Sequence, residues 1–195
     1  ALPQNFVNRL TPNFQAAFKR KHILMLGSWK LYKSPLEFIE LTKRLPQFIF
    51  VLVINDTKEN INIFIKEYKI NISKNLTIYP QQNDVVPFYN QTSLVLNLSN
   101  KKQFVETFGL TALEAMSAGL PVIVPTEGGI AEMVVDGENG YKIDVQNLNQ
   151  IAECIKTILS DETLYMELAQ NALAYSKRFS EAKMVNSIEM ILNRK

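Results

Sequence analysis

A chain of 195 residues with 47% hydrophobic and 10% aromatic residues can bury a full core, which excludes a disordered segment. A net charge of +2, with basic runs no longer than Lys19-Arg20-Lys21, excludes nucleic-acid or membrane binding driven by bulk charge. One cysteine, Cys154, on the apolar side of a helical pattern, excludes a disulfide framework and points to a reducing compartment. Residues 1–21 are polar and weakly patterned around Pro3 and Pro12, and read as a linker or interdomain segment that packs elsewhere. His22-Ile-Leu-Met-Leu-Gly27 has the form of a buried first strand. Ser34-Pro35 opens a helix with a capping serine and a first-turn proline, and its Leu36, Ile39, Leu41 and Leu45 fall near helical spacing. Phe48 to Ile54 is a second buried strand, Asn60 to Tyr68 a helix and Leu76 to Tyr79 a third strand. Asp84 caps a short helix ending at Tyr89, and Ser93 to Leu98 is a fourth strand. Thr107 or Gly109 opens a helix that stops at Ala118-Gly119. Pro121 to Val124 is a fifth strand, Gly129 to Val134 a short helix and Gly140 to Ile143 a sixth strand. Helices follow at roughly 147–159, 161–175 and 180–192.

Apolar-run strands alternating with helices imply an α/β protein. The expected architecture is a Rossmann-like doubly wound parallel sheet of about six strands flanked by helices, with extra C-terminal helices, over residues 22–195. The closing helices have no strand between them, so at least one is expected to cap an end of the sheet or cross to a missing partner. No apolar run approaches the ~18–20 residues of a membrane span and no signal-peptide pattern opens the chain, so a cytoplasmic location is expected. Asn71, Asn75, Asn90 and Asn97 each begin an Asn-x-Ser/Thr triplet, read as coincidence in so asparagine-rich a chain.

The chemistry concentrates in Glu106-Thr-Phe-Gly-Leu-Thr-Ala-Leu-Glu114, which runs on into Ala-Met-Ser-Ala-Gly-Leu-Pro-Val-Ile-Val and then Gly128-Gly129. A buried strand leads into Glu106, and a helix start lies between the two carboxylates. That helix start offers free N–H groups and a positive dipole end to a diphosphate. Gly109 lets backbone approach the ligand, and Phe108 can wall the site. Glu114, placed in the first turn, is repelled by phosphate but suits a ribose diol, whose two hydroxyls can donate to it. Glu106 can accept from hydroxyls beyond the diphosphate. Two carboxylates flanking an anion site thus point to a nucleotide sugar.

With Glu132 and the Asp136-Gly-Glu-Asn-Gly-Tyr turn, these residues resemble the C-terminal domain of glycosyltransferase family 4, retaining enzymes of the two-Rossmann-domain GT-B architecture. The first loop, Leu26-Gly27-Ser28 through Lys33, is similar to that family's donor-domain loop, and the likeness runs over about residues 22–193. The resemblance implies that Glu106 hydrogen-bonds the transferred sugar beside the N–H groups of Phe108 and Gly109. It implies that Leu110 and Thr111 give backbone N–H groups to the diphosphate, Glu114 holds the ribose, and Lys33 meets charge on the leaving group. Pro80 and Gln81 would meet the base. The family commonly carries arginine where this chain has Ser28. Lys30 either substitutes for it or is an exposed loop charge, and an ammonium does not reproduce guanidinium contacts.

The implied function is the donor-binding half of a retaining enzyme that moves a hexose from a UDP- or GDP-sugar to a saccharide or lipid-linked acceptor. It needs no cofactor and no metal, because the chain has neither an Asp-x-Asp motif nor a Cys/His cluster. The acceptor and a catalytic histidine would come from an N-terminal domain. Through that domain the longer protein would touch the inner face of the membrane. A non-catalytic nucleotide- or partner-binding module is the alternative, which Ser28 makes conceivable. A nicotinamide oxidoreductase is disfavoured because Gly27-Ser-Trp-Lys-Leu-Tyr lacks the G-x-G-x-x-G turn. His22 reads as structural, Trp29 as a cover for the sheet end, and Glu132 as an ordinary helix carboxylate. Gly128-Gly129 serves either a tight turn or a backbone close to the ligand.

Overall fold

The computed structural model describes residues 1–179, so the helix expected at 180–192 lies outside the described residues. The six strands are β1 (His22–Gly27), β2 (Ile49–Ile54), β3 (Leu76–Tyr79), β4 (Leu94–Leu96), β5 (Val122–Val124) and β6 (Gly140–Lys142). They form one parallel sheet in the order β3-β2-β1-β4-β5-β6. One row across it reads Thr77, Val51, Leu24, Val95, Val122, Gly140. Ile23, Leu24, Phe50, Leu52, Leu94 and Ile123 are buried, which is why the strands read as apolar runs: both faces of the sheet are covered.

Helices α3 (Pro35–Arg44) and α4 (Lys58–Glu67) connect β1 to β2 and β2 to β3. Helix α5 (Val86–Asn90) then leads back to β4 beside β1, reversing the direction in which the sheet grows. Such a reversal leaves a crevice at the carboxyl ends of β1 and β4, the place where open α/β sheets bind ligands. Helix α6 (Leu110–Ser117) joins β4 to β5, and the short α7 (Gly129–Glu132) joins β5 to β6.

The first 21 residues do not pack elsewhere. They contain α1 (Gln4–Val7) and α2 (Phe14–Arg20) and pack on this domain. Leu2, Leu10 and Ala17 are buried, and Ser93 Oγ donates to the Ala17 carbonyl at 2.6 Å. Arg9 pairs with Asp84 and holds its carboxyl below the usual range. The sparse pattern hid this because the helices are short and their contacts come from elements far along the chain. Helix α8 (Leu148–Ser160) packs against α3, and α9 (Glu162–Ser176) packs against α2 and α6. Both of these closing helices therefore cover this domain itself. Tyr165 Oη, buried in α9, donates to the Ser93 carbonyl at 2.7 Å.

Ser34 does not cap α3 as expected. The turn Leu31–Lys33 delivers it with φ 57°, no side-chain cap bond forms, and its hydroxyl is buried without a partner among the described residues. Three of the Asn-x-Ser/Thr triplets have structural roles. Asn75 donates to the carbonyls of Thr42, Leu45 and Phe48, tying α3 to the start of β3. Asn90 bonds both Arg9 and Thr11, and Asn97 Oδ1 accepts the Ser99 N–H.

Candidate functional site

The crevice at the strand reversal is a cleft of about 520 Å³. Its lining comes from the ends of β1 (Gly27, Ser28), β2 (Asn55), β3 (Gln81, Gln82) and β4 (Asn97, Ser99), with Lys33 and Glu106 from two loops. Gly109, Leu110 and Thr111 complete it at the start of α6. Gly109 has φ 62°, a left-handed backbone, and α6 begins at the next residue. Leu110 and Thr111 are its first helical positions, so their N–H groups have no acceptor inside the helix. The positive end of α6 therefore opens into the cleft.

Lys33 and Glu106 meet inside it, with Nζ 2.5 Å from Oε2 and side chains 23% and 15% exposed. Lys33 is further held over the Phe104 ring at 4.6 Å, and Phe104 stacks on Tyr32. Glu106 Oε2 also accepts from Ser99 Oγ at 3.0 Å. Oε1 accepts no hydrogen bond among the described residues, which leaves it available to a ligand hydroxyl.

The Glu106 loop is seated on α7. A Cβ at Gly128, whose φ is 96°, would lie 2.3 Å from the Glu106 carbonyl oxygen. One at Gly129 would lie 1.9 Å from that of Thr107, and one at Gly109 would lie 2.3 Å from the Ile130 side chain. Three glycines thus let the loop lie directly against the start of α7. Gly128 and Gly129 therefore support the backbone that carries Glu106.

Four expected site residues, Glu114, Phe108, Lys30 and Pro80, are not among the residues lining the cleft. Glu114 is the fifth residue of α6, not in its first turn, because the helix starts at Leu110. It is partly buried behind Thr111, and Tyr89 Oη donates to its Oε2 at 2.6 Å. Burial raises its pKa and the Tyr89 bond opposes that rise. Phe108 is 42% exposed and stands edge-on to Phe179, so it does not wall the cleft. Lys30 is exposed, and its ammonium lies 5.8 Å from the Tyr32 ring. Trp29 is buried and stacks on Phe64 at 4.2 Å, a packing role. His22 sits at the opposite end of β1, its Nδ1 3.0 Å from the Gln91 carbonyl.

Sequence reasoning missed Asn55, Gln82, Asn97 and Ser99 in the cleft, and Tyr89 behind Glu114. The first four share one signal: each follows the carboxyl end of a strand, where a doubly wound sheet binds its ligand. Tyr89 carried none, since only folding brings α5 against α6. Among the described residues no group of three or more His, Cys, Asp or Glu is placed to hold a metal ion. No described helix is long and apolar enough to cross a membrane.

The sequence profile of the family described as Glycosyl transferases group 1 matches residues 9–175. N-acetyl-alpha-D-glucosaminyl L-malate synthase of Bacillus anthracis is 30% identical over 142 residues, 72% of this chain and 36% of that enzyme. A C-terminal domain of a glycosyl transferase group 1 family protein from Francisella tularensis has a TM-score of 0.69 at 25% identity, over 89% of this chain and 96% of that one. Anabaena HepE, solved with UDP and glucose, has a TM-score of 0.77 at 22% identity, over 100% of this chain and 53% of that one, a likeness that shows the fold. The chain thus spans about a third of the curated synthase and about half of HepE. With the profile covering most of its length and a sheet of the GT-B kind, the chain belongs to the group 1 glycosyl transferases.

Proposed function

We propose that this chain is the nucleotide-sugar donor-binding domain of a retaining enzyme. The parent would move a hexose from a UDP- or GDP-sugar to a saccharide or lipid-linked acceptor. The observation that carries the reading is the convergence of Lys33, Glu106 and the open start of α6 in one cleft at the strand reversal. A diphosphate seated on the Leu110 and Thr111 N–H groups places Lys33 beside the oxygen that leaves when the bond to the sugar breaks. Charge developing there meets an ammonium and a helix dipole already in position. Those groups supply the positive potential without a metal. Glu106 Oε1 accepts from the sugar's hydroxyls, and Glu114, one turn behind Thr111, is the partner for ribose. Gln81, Gln82 and Asn55 stand at the end left for the base.

The complex of HepE with UDP and glucose supports a nucleotide sugar as ligand, and the family likeness supports retention. An acceptor held by a second domain fits a chain that spans about half of such relatives. The single thiol fits a cytoplasmic setting, with membrane contact through that second domain. Taken alone, the chain should bind donor weakly and turn over little. Titration calorimetry with UDP, GDP, UDP-glucose and GDP-mannose tests this. Saturable heat from one nucleotide series is expected, and a folded chain that gives none with any of the four refutes it.

A further inference from the structure

The Lys33–Glu106 pair has a third member. Ser99, 2% exposed, donates from Oγ to Glu106 Oε2 at 3.0 Å and accepts from Lys33 Nζ at 3.4 Å. Its position is set by the sheet. The Ser99 N–H donates to Asn97 Oδ1 at 3.0 Å, and the Asn97 N–H donates to the Ile123 carbonyl of β5 at 2.9 Å. The hydroxyl is therefore fixed relative to the carboxyl ends of β4 and β5, whereas the Lys33 ammonium ends a long flexible side chain.

We propose that Ser99 is a positioning residue that holds Glu106 when Lys33 turns to a ligand's diphosphate; this rests on the donor-binding reading above. A diphosphate carries more negative charge than a carboxylate, so a bound ligand draws the ammonium away from Glu106. Glu106 then keeps one anchored donor, the Ser99 hydroxyl on Oε2, and presents Oε1 to the sugar. Without Ser99 the carboxylate of the liganded state has no fixed partner. Its orientation becomes free at the moment it is needed. The action is indirect: Ser99 holds Glu106, and Glu106 touches the sugar.

That indirectness separates Ser99 from a residue that only shapes the cleft. Calorimetry on the full chain should compare UDP with UDP-glucose and GDP with GDP-mannose, for wild type, S99A, S99T, E106Q and the S99A/E106Q double variant. S99A is expected to weaken the nucleotide sugar about ten- to a hundredfold, the loss of one hydrogen bond to a charged group. The bare nucleoside diphosphate should change less than about twofold, since it does not reach Glu106. S99T, which restores a hydroxyl, should recover the loss, and S99A should cost nothing further once Glu106 is Gln. If S99A lowers the melting point, S99C, slightly larger and with only a weak donor, carries the same comparison. Unchanged sugar binding, equal loss for both ligands, or full additivity with E106Q overturns the proposal. Failure of wild type to bind any of the four overturns the donor-binding reading and this proposal with it.

Discussion

Replacing Gly129 by alanine should separate the seating of the Glu106 loop from the stability of the fold. The added Cβ would lie 1.9 Å from the Thr107 carbonyl oxygen, where real Cβ contacts stay beyond 3.0 Å, so the loop must retreat by about 1 Å. Gly129 has no left-handed φ, so the clash is the only cost at this position. Val105, Thr107 and Phe108 are exposed, and the loop can move outward without opening the core. The expected stability loss is therefore at the low end for overpacking, about 1 kcal/mol, or about 2–4 °C in melting temperature for a chain of this size. Glu106 moves with the loop, away from Ser99 and from the sugar. A lost hydrogen bond to a charged group is worth about 1.5–3 kcal/mol, a fall of about ten- to a hundredfold in nucleotide-sugar affinity. Calorimetry with UDP-glucose or GDP-mannose, beside a thermal melt, measures both quantities. Gly128→Ala should be worse in both, because φ 96° adds backbone strain to the clash with the Glu106 carbonyl. If G129A binds the nucleotide sugar within about twofold of wild type, the loop-seating argument is wrong.

Three further outcomes follow from other parts of the molecule. Burial raises the Glu114 carboxyl above its usual 4.5, so folding favours its protonated form. That contribution is complete below the unfolded value and is lost as pH rises through the folded one. E114Q should therefore melt above wild type at neutral pH, with the gap closing near pH 4.5, while donor binding weakens; thermal melts at both pH values check it. Removing residues 1–21 should cost several kcal/mol, since Leu2 and Leu10 alone contribute about 1.5–3 kcal/mol each, and urea unfolding measures it. Burial pushes the Cys154 thiol up to about 12, so a thiol reagent at pH 8 should label it slowly when native and fast in denaturant.

What the sequence determined by itself was whatever short-range pattern can carry. The apolar runs at 22–27, 48–54 and 121–124 demanded strands buried on both faces, hence a covered parallel sheet. The helix start between Glu106 and Glu114 pointed to an anion site, because a turn, a glycine and a helix suffice to expose N–H groups. Tertiary structure decided what depends on elements far apart in the chain. Residues 1–21 looked unpatterned, yet they pack on α5, on α9 and on Gly119 just after α6, partners supplied only by the completed fold. Glu114 lies eight residues after Glu106 in either view. Only the packing of α5 on α6 brings Tyr89 to it. Gly128 and Gly129 read as turn residues until a carbonyl from the Glu106 loop stood where each Cβ would go. Ser99, Lys33 and Glu106 come from three separate stretches of sequence. Their hydrogen bonds exist because parallel strands align their carboxyl ends, and chain order does not encode that alignment.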